Sequence, residues 1–556
     1  MANEFSTHEV FNQAPPLEGL GLFTSDLALV DAVAREGAAE AAGRLAAFGQ
    51  LMGSREALDR GREANLVTPR LESHDRFGQR LDRVVYHPAY HAAMEASMAE
   101  GLHASVWLHL GSGGAPTPGA HVARAAAFYM AVQSEAGHCC PITMTSAALA
   151  TLSHVPDIAR EWIGKALSTR YDPRFEPMPD KASVTFGMGM TEKQGGTDVR
   201  ANTTRAEPVG GGGLAGEYVL TGHKWFLSAP MSDAFLVLAQ APGGLTCLLL
   251  PRFLPDGSVN AIRLLRLKDK LGNRSNASSE IELERAHAWA IGEEGRGVAT
   301  IIDMVTHTRL DCAVASAGLM RHALAQAIHH AEHRKVLGRR LVEQPLMRQV
   351  LADLALEVEA ATALSFRLAR SFDLAADPRA AAWRRLMTPV TKYWVCKIAP
   401  AMVAEAMECL GGNGYVEEAP LARIYREVPV NAIWEGSGNV MALDVLRVMQ
   451  REPEVVGLVM EELAEATAGD AHLTAAHARL ESILHEPRAM DERARTLVEG
   501  LAQLAAGAIL RAHAPAAVAD AFVATRLGML SRQTYGVGLD WADTRGILAR
   551  ATPSGK

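Results

Sequence analysis

The feature that most limits what this chain can fold into is a change of sequence pattern near Lys181. Before it, segments such as 26–52 are rich in Ala, Leu, Glu and Arg, which are good helix formers. After it, short apolar runs at 218–221, 234–239 and 245–250 lie between turn residues, a spacing typical of β-strands. Helical spacing then returns and continues towards the end of the chain. The pattern therefore predicts a mainly α-helical protein with a central all-β domain.

The order of these patterns, with a length of 556 residues, predicts several domains rather than one core. We expect an N-terminal helical domain over 1–180 and a β domain over 181–296. Residues 297–450 are predicted to form a helical bundle, because apolar residues recur there at helical spacing. Arg451-Glu-Pro-Glu454 is predicted to be a hinge, and it leads into a helical extension over 451–556.

The composition is ordinary for a soluble globular protein, with 48% hydrophobic and 21% charged residues. The net charge of −8 argues against a nucleic-acid binder whose whole surface is basic. The sequence contains no apolar run of membrane-spanning length, and its polar start does not resemble a signal peptide. Six cysteines without a CxxC pair indicate neither a zinc site nor a redox motif, and they fit a reducing compartment. We therefore expect a cytoplasmic protein without membrane contact.

Two histidines raise the question of a metal. His329 and His333 lie four residues apart on a predicted helix, a spacing that could chelate a metal ion. The sequence offers no acidic third ligand beyond Glu332, which should point elsewhere. A solvated helix face is the favoured interpretation, and no metal site is predicted.

A carboxylate with an unusual setting lies in the stretch 433–439. Trp434 can shield Glu435 from water, and burial disfavours the charged carboxylate and so raises its pKa. A carboxylate tuned in this way is a competent base near neutral pH. The glycines that follow let backbone approach a ligand closely, and the polar side chains among them add donors. The alternative is a glycine-rich turn before a helix over 440–448, with Glu435 near its positive end.

Further stretches at the joints between the predicted domains carry donors and aromatic rings. The run 190–198 offers Thr191 and Thr197 beside glycines, which suits hydrogen bonding along a flat heterocycle. The alternative there is a capped loop. The run 222–228 places aromatic rings and a hydroxyl on a predicted strand, where ordinary sheet core is the alternative. The bundle adds a glycine-rich run at 411–415.

In this order and at these separations, the stretches resemble the acyl-CoA dehydrogenase family of flavoproteins, over roughly Met188 to Val448. The resemblance implies an N-terminal helical domain, a β-barrel or sandwich and a C-terminal four-helix bundle. It also implies a homotetramer that binds FAD between the last two domains. The extra C-terminal helical domain matches the branch of this family linked to the bacterial adaptive response to DNA alkylation. The positions that match the family's cofactor contacts are Met188, Gly189, Met190, Thr191, Gly196, Thr197, Phe226, Leu227, Ser228, Arg334, Trp434, Gly436, Ser437 and Asn439.

Glu435 matches the family's catalytic base. In that chemistry the base removes an α-proton from an acyl thioester while hydride leaves the β-carbon for the flavin. Some members place the base on an earlier helix beside an arginine, but the matching pair here is Thr308-Arg309, so that alternative base is absent. Arg334 matches an arginine that reaches the FAD pyrophosphate of a neighbouring subunit, a role that suits a forked, permanently charged guanidinium.

Three positions depart from the family's usual pattern. Glu408 stands where Gln is usual, which bears on the FAD contact. Trp434 stands where Tyr is usual and is bulkier at the pocket, which bears on acyl-CoA access. Leu337 stands where Phe is usual. The matching branch has similar departures, which implies a weak or specialised dehydrogenase activity.

Members of that branch bind double-stranded DNA through the last domain, and the charges here support such binding only in part. From Arg451 onward, fourteen acidic residues outnumber eleven basic ones, whereas after Leu504 six basic residues face three acidic ones. A modest basic face is therefore predicted there, and a solvated helix surface or a subunit contact explains the same charges. The candidate DNA contacts are Arg511, Arg526, Arg532, Arg545 and Arg550.

Three functions are consistent with these patterns. The first is an FAD protein of the alkylation-response branch, with a specialised dehydrogenase site and non-specific DNA binding. The second is a metabolic dehydrogenase that oxidises an acyl-CoA to the 2,3-enoyl-CoA and has no DNA role. The third is a DNA-binding protein with a structural FAD. Trp434 and the extra domain favour the first over the second, and Glu435 favours the first over the third.

Overall fold

The computed structural model describes residues 7–153, 155–484, 490–528, 535, 539 and 541–553. The N-terminal part is mostly helical and contains one hairpin, formed by strands β1 (Arg70–His74) and β2 (Arg80–Val85). Its helices are α1 (Leu27–Arg35), α2 (Ala42–Met52), α3 (Arg55–Leu66), α4 (Pro88–Ala99), α5 (Leu108–Ser112), α6 (Ala120–Ser134), α7 (Cys139–Leu152) and α8 (Pro156–Ala166).

The β1–β2 hairpin interrupts a segment that the sequence pattern predicts as mostly helical. Its turn is closed by Asp75, whose carboxylate accepts hydrogen bonds from the backbone N–H groups of Phe77 and Gln79 at 2.8 Å. The hairpin packs on the central sheet, where the Asp82 carboxylate accepts a hydrogen bond from the Leu264 N–H at 3.2 Å. The sequence pattern did not show this hairpin, because a tertiary contact that no local pattern reveals stabilises the two strands.

The central domain is a seven-stranded sheet. Its strands are β3 (Phe186–Gly189), β4 (Arg205–Pro208), β5 (Glu217–Ser228), β6 (Ala234–Ala241), β7 (Gly244–Pro251), β8 (Ile262–Leu267) and β9 (Ser278–Ile291). The strand order is β3-β6-β4-β5-β9-β7, with β8 paired to β9, and β6 runs parallel to β3 and β4. Because β7 pairs with β6 as well as with β9, the sheet closes on itself as a barrel.

Long helices follow the sheet and pack on one another as a bundle. They are α9 (Gly297–His333), α10 (Pro345–Asp373), α11 (Pro378–Glu408), the short α12 (Gly412–Tyr415), α13 (Pro420–Asn431) and α14 (Gly438–Arg451). A small hairpin of β10 (Lys335–Val336) and β11 (Arg339–Arg340) joins α9 to α10. Apolar residues predicted at helical spacing on α10, such as Leu354, Val358 and Leu364, are buried. The fold class expected from the sequence is confirmed.

The C-terminal helices share the apolar core of the bundle. They are α15 (Pro453–Thr467), α16 (Ala471–Leu484), α17 (Met490–His513), α18 (Ala516–Arg526) and α19 (Thr544–Ala551). Helix α17 packs on α10, α11 and α14, and α19 packs on α1 and α10. Only Glu452 separates α14 from α15, at the place of the predicted hinge. Within the described ranges, no helix is both long and apolar enough to cross a membrane.

Candidate active site

The turn that joins α13 to α14 holds the carboxylate that stands out in the sequence. Glu435 has a left-handed backbone with φ 57°, which is uncommon for a residue that carries a Cβ. Gly436 follows with φ 104°, a conformation that glycine adopts readily. Non-glycine residues in this left-handed conformation, such as Glu435, persist only where their surroundings hold them, and they concentrate at functional sites.

Two buried cations hold the main chain of this turn. Lys392 on α11 is 1% exposed, and its ammonium donates to the carbonyl before Glu435 at 2.8 Å and to the carbonyl after it. Arg309 on α9 donates from Nε to the Glu435 carbonyl at 3.0 Å. Its Nη1 donates to the Asp444 carboxylate on α14 at 2.7 Å. These contacts tie three helices to one turn, so the direction of the Glu435 side chain is fixed by the bundle.

The carboxyl group of Glu435 lies beside Thr308 on α9, with Oε2 2.8 Å from the threonine Oγ1. Burial raises the pKa of Glu435, and the hydrogen bond from Thr308 with the charges of Arg309 and Lys392 acts in the opposite direction. The net result is a raised pKa of Glu435, as predicted from the sequence. A carboxylate with a raised pKa is suited to accept a proton near neutral pH.

Trp434 links the turn to the sheet domain. Its Nε1 donates to Asn431 Oδ1 at 3.1 Å, and Asn431 Nδ2 in turn donates to Ser316 Oγ at 3.1 Å. The partly buried indole packs on an apolar cluster that contains Met188 and Cys140. The ring is therefore fixed against both the bundle and the barrel.

A cavity that is mostly apolar begins at Glu435. Its walls come from α6, α7, α9 and α13. The apolar lining residues are Phe128, Val132, Ala136, Met144, Ala315 and Leu319. The polar lining groups include Asn273, Asp311, Glu427 and Asn431. An apolar cavity with a base in its wall suits an apolar substrate chain.

The end of β5 lies close to the same cavity. Cys140 lines it together with Glu435. Burial raises the pKa of Cys140 to about 11, and a hydrogen bond with Ser228 acts against that rise. Of the other predicted cofactor contacts, Met188, Gly189 and Leu227 are buried in the sheet, Met190 and Thr191 are partly exposed, and Gly196, Thr197, Phe226, Ser437 and Asn439 are exposed.

The donors around the turn fit a flavin. A Cβ at Gly196 would lie 2.4 Å from Thr191 Oγ1, so glycine keeps that hydroxyl accessible. Ser437 precedes α14, and its hydroxyl makes no capping bond within the described helix. The hydroxyl and the first N–H groups of α14 are thus available to an anion at a helix N-terminus. Phe226 adds an apolar ring that is 46% exposed. Hydroxyls, an aromatic ring and a helix N-terminus are the groups that an isoalloxazine with a pyrophosphate requires.

Arg334 lies far from these residues in the same chain. Helix α9 carries Thr308 and ends at His333, so about 40 Å of helix separates Arg334 from Thr308. The Arg334 Nη1 donates to the carbonyl of Asn12 at 2.6 Å. Its role on the FAD of a neighbouring subunit stays a prediction from the resemblance.

A second, larger cleft adjoins Arg309 and was missed by sequence reasoning. It lies between α5, the start of α9, the end of α10, α11 and α14. Three aspartates line it, Asp303, Asp373 and Asp444. Seven arginines line it as well: Arg200, Arg296, Arg309, Arg384, Arg385, Arg447 and Arg451. The excess of guanidinium groups suits a ligand with phosphates.

The two histidines considered for a metal bond to main-chain carbonyls instead. His329 Nε2 lies 2.7 Å from the Pro15 carbonyl, and His333 Nδ1 lies 2.8 Å from the His329 carbonyl. In the described part of the chain, no group of three His, Cys, Asp or Glu side chains could hold a metal ion.

Arg526 is misassigned as a DNA contact. Its side chain is 2% exposed, and the guanidinium pairs with Asp353 at 2.5 Å and Glu357 at 3.0 Å on α10. A guanidinium enclosed between two carboxylates cannot reach a phosphate on the surface. That prediction is wrong because the pairing partners lie about 170 residues earlier in the chain.

The other candidate DNA contacts differ among themselves. Arg550 is 14% exposed and pairs with Glu359 at 2.6 Å and Asp31 at 2.7 Å. Arg511 pairs with two aspartates, so its charge is also compensated. Arg545 is exposed, and Arg532 lies outside the described residues.

Sequence reasoning also missed what supports Glu435. Thr308 and Arg309 were noted only as the place of an absent second base, whereas the structure makes them direct partners of the Glu435 carboxyl and carbonyl. Lys392 carries a recognisable signal, since it is a single lysine inside a long buried stretch of α11.

Comparisons with known proteins follow the same domain order. Residues 12–173 match the adaptive response protein AidB N-terminal domain. Residues 187–286 match the acyl-CoA dehydrogenase middle domain, and 295–450 match the acyl-CoA dehydrogenase C-terminal domain.

Full-length relatives agree with this assignment. AidB of Escherichia coli (strain K12) is 47% identical over 549 residues, which cover 99% of each chain. The crystal structure of Caenorhabditis elegans ACDH-11 in complex with C11-CoA has a TM-score of 0.85 at 28% identity, covering 98% of this chain and 97% of that one. An acyl-CoA dehydrogenase complexed with FAD from Bacillus anthracis shares the fold, with a TM-score of 0.61 at 17% identity and 80% and 78% of the two chains covered. The chain therefore belongs to the acyl-CoA dehydrogenase family of flavoproteins, in its AidB-like branch.

Proposed function

We propose that this oxidoreductase acts on an acyl thioester of coenzyme A, with Glu435 as the base that removes the α-proton. The observation that carries the proposal is the setting of Glu435, whose carboxyl opens on an apolar cavity and has a raised pKa. An acyl chain held in that cavity brings its α-carbon beside the carboxyl, which makes proton removal effectively intramolecular.

FAD is the cofactor of this protein. When bound, it supplies the acceptor for the hydride that leaves the β-carbon, while the α-proton goes to the protein. The chain's own residues bind and orient the cofactor. Thr191, Ser228 and Ser437 supply hydrogen-bond donors for it. Arg309 and Lys392 hold the turn, so that the carboxyl keeps one direction during proton transfer.

The basic cleft supports coenzyme A as the carrier of the acyl group. Arg309 lines the cleft and also binds the Glu435 carbonyl, so the cleft adjoins the turn that carries the base. Coenzyme A has phosphates at one end and the thioester at the other, which matches a basic cleft beside an apolar cavity. We assign the phosphate contacts to Arg384, Arg447 and Arg451. The related ACDH-11 was crystallised with C11-CoA.

Anaerobic titration of the FAD-loaded protein with a panel of acyl-CoAs tests this proposal. We expect at least one acyl-CoA to bleach the oxidised flavin absorbance. Arg447→Ala should weaken acyl-CoA binding, whereas the control Arg545→Ala, an exposed arginine outside the cleft, should not. No bleaching by any chain length, with FAD bound, would contradict the proposal.

We propose a cytoplasmic homotetramer on the strength of the family resemblance. Free, buried cysteines fit a reducing compartment. If Arg334 serves the FAD of a neighbouring subunit, Arg334→Ala should release FAD without changing the fold. Light scattering of the purified protein gives the oligomeric state, and a monomer that keeps FAD would contradict this assembly.

We infer that any DNA association is weak, salt-sensitive and independent of sequence. It is supported by the resemblance to AidB and by the excess of basic residues after Leu504. Arg511, Arg526 and Arg550 are engaged in ion pairs, which leaves exposed Arg545 as the candidate phosphate contact among the described ones. A salt series on the wild type and on Arg545→Ala tests it. Tight binding to one sequence at high salt would contradict non-specific association. If no DNA binds at all, the alternative of a metabolic dehydrogenase without a DNA role is favoured.

A further inference from the structure

Glu427 and Asn273 form an incompletely bonded polar site in the wall of the substrate cavity. Both residues line the cavity, and they are 3% and 4% exposed. Glu427 Oε2 accepts hydrogen bonds from the Asn273 backbone N–H at 2.7 Å and from its Nδ2 at 2.6 Å. Asn273 Oδ1 is buried without a partner, and both hydrogen bonds to Glu427 found among the described residues go to Oε2, not Oε1. Two oxygen acceptors therefore stand in a wall that is otherwise apolar.

Two other polar groups of the cavity wall, Asp311 and Asn431, have their partners. The Asp311 carboxylate binds both terminal nitrogens of Arg124 and the Thr143 hydroxyl, all at 2.7 Å. The Asn431 amide is bonded at both its oxygen and its nitrogen. These groups are satisfied within the protein, whereas a buried acceptor without a donor costs free energy that a ligand can restore.

Glu427 also has no cation at ion-pair distance among the described residues. Arg423 lies one helical turn earlier on α13, and its Nη2 donates to the Ser134 carbonyl at 3.1 Å. Lys270 donates to the Asn276 carbonyl at 2.7 Å. Burial, with the negative charge of Glu135, raises the pKa of Glu427 to about 7. The carboxyl is therefore not committed to a protein cation.

The position of Glu427 on α13 places this site away from the base. Glu427 and Asn431 lie on the same face of α13, about 6 Å apart along the helix axis. Asn431 binds Trp434, the neighbour of Glu435. A chain that starts at Glu435 and fills the cavity thus reaches Glu427 with a part remote from the reacting carbons.

We propose that Glu427 and Asn273 select an acyl group that carries a hydroxyl towards its far end, whose hydrogen one of their free oxygens accepts. The inference rests on the proposed function, because it names the substrate class of the same cavity. A substrate that ends in a methyl group would leave both oxygens without a hydrogen-bond donor. A substrate hydroxyl supplies a donor and so replaces the hydrogen bond from water that is lost when the substrate fills the cavity.

Pairs of acyl-CoAs of equal length, one ending in a hydroxyl and one in a methyl group, test this selection. Calorimetric titration of the FAD-loaded protein gives both dissociation constants over a series of lengths. We expect the hydroxyl member to bind about tenfold more tightly at the length that reaches Glu427. Glu427→Met should abolish that ratio. Glu417→Gln should keep it, because Glu417 is exposed, pairs with Arg426 and lies outside the cavity.

The outcomes separate selection from a structural role. If Glu427 only anchors Asn273, Glu427→Met lowers stability and leaves the ratio of the two dissociation constants unchanged. Equal binding of both members by the wild type at every length overturns the inference, even if Glu427→Met does not fold. Flavin reduction by acyl-CoAs without such discrimination would overturn this inference and leave the proposed function standing, whereas no binding of either member would overturn both.

Discussion

Removing the hydroxyl of Thr308 tests the hydrogen bond that controls the proton affinity of Glu435. The Thr308 Oγ1 lies 2.8 Å from Glu435 Oε2 and 2.9 Å from the Val305 carbonyl. One hydroxyl hydrogen cannot serve both acceptors. When Glu435 is charged, the hydrogen points at the carboxylate. When Glu435 is protonated on Oε1, Thr308 still donates to Oε2, but that bond then joins two neutral groups.

The magnitude follows from comparing the two states. A hydrogen bond to a charged group contributes about 1.5–3 kcal/mol, and one between neutral groups about 0.5–1.5 kcal/mol. Thr308→Val removes this one bond in either state, so the charged form of Glu435 is destabilised by about 1 kcal/mol more than the neutral form. At 1.36 kcal/mol per pKa unit, that difference raises the pKa by about 0.7 unit.

The assay is stopped-flow reduction of the flavin by a reactive acyl-CoA across pH. The rate falls at low pH as the base becomes protonated, and this limb should move upward by about 0.7 pH unit in Thr308→Val. Thr308→Ser should keep the wild-type limb, because it keeps the hydroxyl. Thr300→Val is the matched control, since its hydroxyl bonds to the Arg296 carbonyl on the same helix. An unchanged or lowered limb in Thr308→Val would refute this reasoning.

Three further outcomes follow from buried charges. Arg526→Met should lower the free energy of unfolding by about 3–5 kcal/mol, because two buried carboxylates lose their partner. The control Arg545→Ala should change it by less than about 0.5 kcal/mol. Equal effects of the two substitutions in urea denaturation would contradict this prediction. The pKa of Glu427 is about 7 in the folded protein, above its unfolded value, so the folded state binds more protons. Stability should therefore fall as pH rises from about 4 to 7, and a Glu427→Gln variant with an unchanged slope would argue against it. Lys392→Met should lower the free energy of unfolding by more than about 2 kcal/mol, because two carbonyls lose a charged donor. A variant with the urea midpoint of the wild type would count against a role of Lys392 in holding the turn.

Much of the fold is predictable because local patterns decide the type of each element. Helical spacing marks α9 to α11, and short apolar runs mark the strands of the barrel. The closure of the barrel depends on β7 pairing with both β6 and β9, which no local pattern encodes. The β1–β2 hairpin was missed for the same reason, since contacts with the barrel stabilise it.

The site was predictable only where its residues are neighbours in sequence. Glu435 and Ser437 stand in one short stretch whose composition signals a ligand site. Lys392 and Arg309 reach the same turn from α11 and α9, so only the tertiary structure shows which carbonyls they hold. Arg526 shows the converse error, because a helix arginine looks like a surface charge until its partners on α10 are known.

The central claim is that Glu435 is the proton acceptor, and Glu435→Gln tests it most directly. Glutamine keeps the shape of the side chain and the contact with Thr308 but cannot take the α-proton. We expect the variant to retain FAD and to bind acyl-CoA, with flavin reduction abolished under anaerobic conditions. Reduction at the wild-type rate by a variant with bound FAD would show that another group is the base.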